Sequence, residues 1–195
     1  MAVTLVKGQK ISLEKTAGGA LATVRMGLGW DVARSGGVLG RMFGGEPDDI
    51  DLDASCGMFD AAGVLVDLVW FCQLRSRDGS IRHTGDNLTG AGEGDDESVV
   101  VDLERVPAGV RSLVFTVNSY RGQGFDTVQN AFCRLLDHRT GKEVARYDLG
   151  ARGSHTAMVM SKLYRHGGEW KMHAIGESAM GCTFQDILPA IEPHL

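Results

Sequence analysis

The sequence predicts an all-β protein: an antiparallel β-sandwich of about nine or ten strands, with long acidic loops and a short C-terminal helix. Three observations predict it. Apolar residues recur with period two in short segments bounded by turn residues. Helical periodicity is scarce, so nothing supplies the crossover helices that a parallel sheet needs. The 27 glycines fall mostly between the apolar segments rather than inside them.

In chain order, residues 1–13 and "ALATVRMGLGW" read as the first strands. Residues 31–49 then form one long excursion, with a small apolar knot (Val38, Leu39, Met42, Phe43) between glycine pairs; residues 32–47 read as a mobile insert. "IDLDASCGMF" alternates: Ile50, Leu52, Ala54, Cys56 and Met58 share one face, while Asp51, Asp53 and Ser55 share the other. "VLVDLVWFCQL" is apolar on nearly both faces, as a central strand would be. "SVVVDL" and "SLVFTVNSY" are further strands. "FDTVQNAF" holds a turn of helix before its strand. A hairpin turns at residues 138–141 and another at Gly167 and Gly168. The short helix lies in "TFQDILPAIEPHL", where Ile187, Leu188 and Ile191 pack and Pro189 limits its length. At 195 residues the whole chain, 1–195, reads as a single domain.

The formal charge of −5 and pI near 5.6 argue against nucleic acid or an anionic membrane as partner. No signal peptide and no transmembrane stretch is legible, which makes the cytoplasm the expected location. Cys56, Cys72, Cys133 and Cys182 are widely spaced, and the first three, in apolar segments, read as buried free thiols. The six histidines join no nucleophile and acid in a recognisable hydrolase setting, and His83 reads as a solvated strand-end residue. Trp30, Trp70 and Trp170 read as packing residues. No catalytic constellation is legible, and the expectation is a protein that is not an enzyme.

The informative stretch is "HTGDNLTGAGEGDDESVVVDLERV". Between Asp86 and Glu104 it holds seven carboxylates and no Lys or Arg. A second base-free run, "GGEPDDIDLD", precedes it. Two carboxylates about 4 Å apart repel by about 4 kcal/mol at an effective dielectric near 20. Such groups protonate, open, or take up a cation. The donors are all hard oxygen: carboxylates, the Asn87 carbonyl, the Thr89 hydroxyl and backbone carbonyls of a glycine loop, a set that suits calcium better than magnesium or zinc. Both runs join strand ends and so can meet at one edge of a sandwich. The bland alternative is a pair of solvated loops. No EF-hand frame is complete, since Ala54 stands where its glycine belongs, and no phosphate loop occurs.

"HTGDNLTGAGEGDDE" resembles the signature of the TerD-domain family of tellurium-resistance and general-stress proteins. "VTLVKGQKISLEK", "GLGWD", "DIDLDASC", "VPAGVRSLVFTVNSY", "VQNAFCRL", "EVARYDL" and "LYRHGGEWKMHAIGE" each resemble the corresponding family block, in order, over nearly the whole chain. The insert at 32–47 is longer than in the family's shortest form. The resemblance implies a β-sandwich that binds calcium through its acidic loops, and tellurite or other chemical stress as the setting. Asp86, Asn87, Asp95, Asp96 and Glu97 match the signature and are the first candidate ligands. Asp51 and Asp53 come next, then Asp31 after the "GLGW" turn and Asn118 near a strand end; two calcium ions are the expectation. Asp60 and Asp78 fit turn chemistry better. The partners implied are calcium and other stress-response proteins of the same system, with membrane association only through those partners. Two other readings stay open: a magnesium- or manganese-dependent phosphoester hydrolase, and a calcium-dependent small-ligand module.

Overall fold

The computed structural model describes residues 2–32, 52–85, 95–149 and 153–195. The strands are β1 (Val3–Leu5), β2 (Lys10–Ser12), β3 (Thr23–Val32), β4 (Leu52–Asp60), β5 (Leu65–Val69), β6 (Ile81–His83), β7 (Glu97–Asp102), β8 (Val110–Ser119), β9 (Val128–Asp137), β10 (Glu143–Asp148), β11 (Ala157–His166) and β12 (Glu169–Ala179). They make two six-stranded sheets, in the orders β1-β10-β9-β3-β7-β6 and β2-β12-β11-β8-β4-β5. Every pairing is antiparallel except β1 with β10. The sandwich is the expected class, with twelve strands among the described residues instead of nine or ten, because β1, β2 and β6 span three residues each, too few to show a period.

Period two sets the core. Met26, Leu28 and Trp30 of β3 meet Leu52, Ala54, Cys56 and Met58 of β4 between the sheets. Each large side chain there contributes about 1.5–3 kcal/mol by leaving water. The opposite face of β4 is not solvated. Phe59 joins Val114, Ala157, Val159 and Ile175 in a second core on the outer face of the second sheet. The C-terminal segment covers it with Phe184, Ile187 and Ile191. That segment holds helix α2 (Leu188–Ile191), which tolerates Pro189 in its first turn, followed by a 3-10 turn at Glu192–His194. The turn of helix ahead of β9 is the 3-10 turn Phe125–Thr127.

Four sequence expectations are corrected. β5 is an edge strand with Val64 and Val66 exposed, not a central one. Cys72 is exposed, in the turn beyond β5, whereas Cys56 and Cys133 are buried; burial pushes the Cys133 thiol up to about 12. His83 is buried rather than solvated. Helix α1 (Leu13–Ala17) stands where only strands were expected: the Ser12 hydroxyl accepts from the Lys15 N–H, and Gly18 ends it with φ 78°. The insert at 32–47 lies outside the described residues, Val32 excepted, which closes β3.

Candidate metal centre

Several strand ends meet at one end of the sandwich. β3 and β8 finish there, while β4, β7, β9 and β11 begin there, as the pairings Leu28 with Glu97, Asp53 with Asn118, Gly29 with Phe132 and Ala157 with Asn118 require. Residues 33–51 and 86–94, which carry most of the two acidic runs, both connect at this end. Asp53 and the Asp95–Glu97 triplet, the described parts of the two runs, lie at this end; the rest of both runs lies outside the described residues.

The three consecutive acids at the entry to β7 part in three directions. Asp96 lies in a bend; its N–H donates to the Leu28 carbonyl at 2.8 Å, and its Oδ2 accepts from the Trp30 N–H at 2.8 Å. Beyond the bend Glu97 takes the inward side of the strand, in line with Val99 and Val101, and is 1% exposed. Its Oε2 accepts from the Ala54 N–H of β4 at 2.6 Å, across to the other sheet. Ala54 precedes the stretch of β4 that β5 covers, which begins at Cys56. Glu97 thus takes the place of a missing strand neighbour.

Asp95, ahead of the bend, lies on the outer face of the first sheet. Its Oδ1 accepts from Arg134 Nε at 2.6 Å, and Arg25 Nη2 stands 3.9 Å from Oδ2. Gly27 makes room: a Cβ there would overlap the Asp95 carboxylate. Asp95 raises the Arg134 guanidinium above its ordinary range, and Glu143 adds to this at 3.5 Å. The acidic run is base-free along the chain but not in space.

Asp53 is 7% exposed and pairs across β4 and β8 with Asn118, itself buried. Both lie on the outer face of the second sheet, where Asn118 Nδ2 donates to the Thr183 carbonyl of the C-terminal segment at 3.2 Å. His83 Nε2 stands 3.4 Å from Glu97 Oε2. The Gly85 N–H donates to His83 Nδ1 at 3.1 Å, so Nδ1 is unprotonated and Nε2 carries the proton that faces the carboxylate. The backbone of Asp31 pairs with Gln129 at the end of β3; its side chain, and Asp51, Asp86 and Asn87 altogether, lie outside the described residues. Asp60 and Asp78 do cap turns, accepting from Ala62, Val64 and Ser80 N–H groups.

Two residues that sequence reasoning missed stand here. Ser119 Oγ, beside Asn118 at the end of β8, and Gln123 Oε1, in the loop that follows, are buried oxygens with no hydrogen-bond partner among the described residues. A buried oxygen left so costs about 1–3 kcal/mol, and each is a donor of the kind a hard cation takes. The set at this end is therefore carboxylate, amide and hydroxyl oxygen, and the residues present fit calcium. Among the described residues alone, no three His, Cys, Asp or Glu side chains close into a metal cluster; the carboxylates of the two connecting runs would have to complete it.

The TerD domain model matches residues 1–188. The chain is 51% identical over 185 residues to tellurium resistance protein TerZ of Serratia marcescens, covering 95% of this chain and 94% of that one. It is 42% identical over 197 residues to stress response protein SCP2 of Bacillus subtilis, covering 96% and 98%. Among solved structures, a homologue of the telluride resistance protein TerD from Streptomyces coelicolor superposes with a TM-score of 0.66 at 21% identity, over 83% of this chain and 92% of that one, a likeness of fold. The signature residues, the sandwich and these relatives agree: the chain belongs to the TerD family of tellurium-resistance and general-stress proteins.

Proposed function

We propose that this TerD-family protein binds calcium at the end of the sandwich where the two acidic runs meet, and that it acts in the cytoplasm in the response to tellurite or related chemical stress, through partners and without catalysis. One observation carries the reading. Two carboxylates from different sheets, Asp53 and Glu97, are buried at that end, beside the orphaned Ser119 and Gln123 oxygens. Burying ionised carboxylates costs several kcal/mol each unless charge compensates them. Arg25 and Arg134 lie on the outer side of the first sheet and hold Asp95. A divalent cation bound there would be held by the hard oxygen donors gathered at this end. Asp96, Glu97, Asp53 and the loop residues Asp51, Asp86 and Asn87 would supply the ligands of two ions, while Asp95 anchors the loop end to the first sheet. Among the described residues no helix is long and apolar enough to cross a membrane.

The test is thermal unfolding with calcium, magnesium or chelator. Calcium in excess should raise the melting temperature well beyond what magnesium achieves. Melting that ignores calcium up to millimolar concentration would leave the acidic runs as solvated loops.

A further inference from the structure

A row of basic side chains crosses the outer face of the second sheet, far from the acidic end. Lys10 of β2 pairs with His173 of β12, and His173 pairs with Lys162 of β11, so three basic residues sit directly opposite one another on neighbouring strands. Cross-strand neighbours of like charge destabilise a sheet. A fourth, His194 of the C-terminal 3-10 turn, closes over them: its ring centroid is 6.3 Å from that of His173, and Lys162 Nζ donates to its backbone carbonyl.

The acids beside the row are already engaged. Glu177 pairs with Lys7 at 3.3 Å, and Glu169 takes Lys171 at 3.5 Å together with the Ser12 hydroxyl. Among the described residues Lys10 and Lys162 form no ion pair, although Lys162 is buried, and His173 Nδ1 is occluded without a partner. Burial, then Lys10, Lys162 and His194 beside it, pushes the His173 imidazole down to about 4. Burial and Lys10 likewise lower Lys162. The row gathers two ammonium groups and two imidazoles in a partly dry place, with the neighbouring acids engaged elsewhere.

We propose that Lys10, Lys162, His173 and His194 form a binding site for a phosphate-type oxyanion. A tetrahedral dianion offers several acceptor oxygens to the free N–H donors of two ammonium groups and an imidazole, in charge-assisted bonds. The ammonium of Lys162 has donors to spare beyond the one given to His194. Tyr164, whose ring lies 5.0 Å from Lys162 Nζ, flanks the site on β11.

The experiment is a nuclear magnetic resonance titration of the His173 and His194 ring protons in the full chain. Inorganic phosphate is added against chloride of matched ionic strength. Saturable shifts of both rings are expected with phosphate and not with chloride, and the His173 pKa should rise as the anion binds. Lys10→Gln, on an exposed edge strand, should weaken phosphate about ten-fold. Lys7→Gln, whose ammonium belongs to Glu177, should change it less than about three-fold. A nucleoside monophosphate serves as a second probe: tighter binding than phosphate assigns the anion to an ester, equal binding to the free ion. Absence of a saturable shift with either probe, or equal losses in Lys10→Gln and Lys7→Gln, overturns the site.

Discussion

Asp95 and Glu97 stand two residues apart in one acidic triplet and meet opposite chemistry. Asp95 lies on the outer face of the first sheet, over Gly27, in the grip of Arg134 and Arg25. Glu97 turns inward, almost sealed from water, and finds a backbone N–H of the other sheet and the His83 ring. In an unbroken strand residues two apart share a face. The bend at Asp96 breaks that rule and sends the pair to opposite faces. Two carboxylates of one triplet thus become an anchor on one side and a candidate ligand on the other, and what divides them is the face of the first sheet on which each stands.

That contrast can be broken experimentally, and the largest effect should come from the inward side. Glu97→Gln keeps size and hydrogen-bonding capacity but removes a charge, and should weaken calcium about a hundred-fold, as loss of a ligand charge does. Asp53→Asn and Asp96→Asn should follow. Calorimetric titration reads all three, and circular dichroism checks their fold.

Removing the ion itself comes next. An ion bound only by the folded state at about a hundred times its dissociation constant stabilises by about 2.7 kcal/mol. For a chain of this size that corresponds to a melting shift of roughly 5–10 °C on chelation. Limited proteolysis should then show faster cutting within residues 90–94.

Asp95→Asn should separate anchoring from ligation. It strips the half-buried Arg134 of its main partner and should cost roughly 1–3 kcal/mol of stability in denaturant unfolding. Calcium affinity should change by less than about five-fold, since Asp95 acts only by holding the loop end. A loss as large as that of Glu97→Gln would make Asp95 a ligand and erase the contrast. Smallest of all should be Asp102→Lys, at the far end of β7. It alters charge by two units yet, at moderate salt, should move calcium affinity by no more than about two-fold through screened attraction.

Much of this architecture was legible in the chain because one face of each long strand is sealed. Alternation in residues 50–59 assigned Leu52, Ala54, Cys56 and Met58 to the core, where they are. It could not show that the Asp53 face is roofed by Phe184, Ile187 and Ile191, because that cover comes from more than a hundred residues away. β5 misled for a related reason: its side chains serve two cores and the solvent, so its composition imitates a central strand. Helix α1 carried its signals in Ser12 and Gly18, but five residues are too few to display a period. At the candidate site, the placing of Asp53 and Glu97 at one end of the sandwich was readable from strand ends. The partners were not. Arg134 lies 39 residues from Asp95, and no local pattern announces it. Ser119 and Gln123 look ordinary in sequence and become notable only when burial leaves their oxygens without partners.

The central claim is that buried carboxylates at one end of the sandwich are completed by calcium. Isothermal titration of chelator-treated protein with calcium, and in parallel with magnesium and zinc, tests it most directly. Saturable calcium binding is expected, with two ions per chain, clearly tighter than magnesium or zinc and abolished or severely weakened in Glu97→Gln. Binding of zinc or magnesium as tight as that of calcium, or calcium heats that Glu97→Gln leaves untouched, would contradict it.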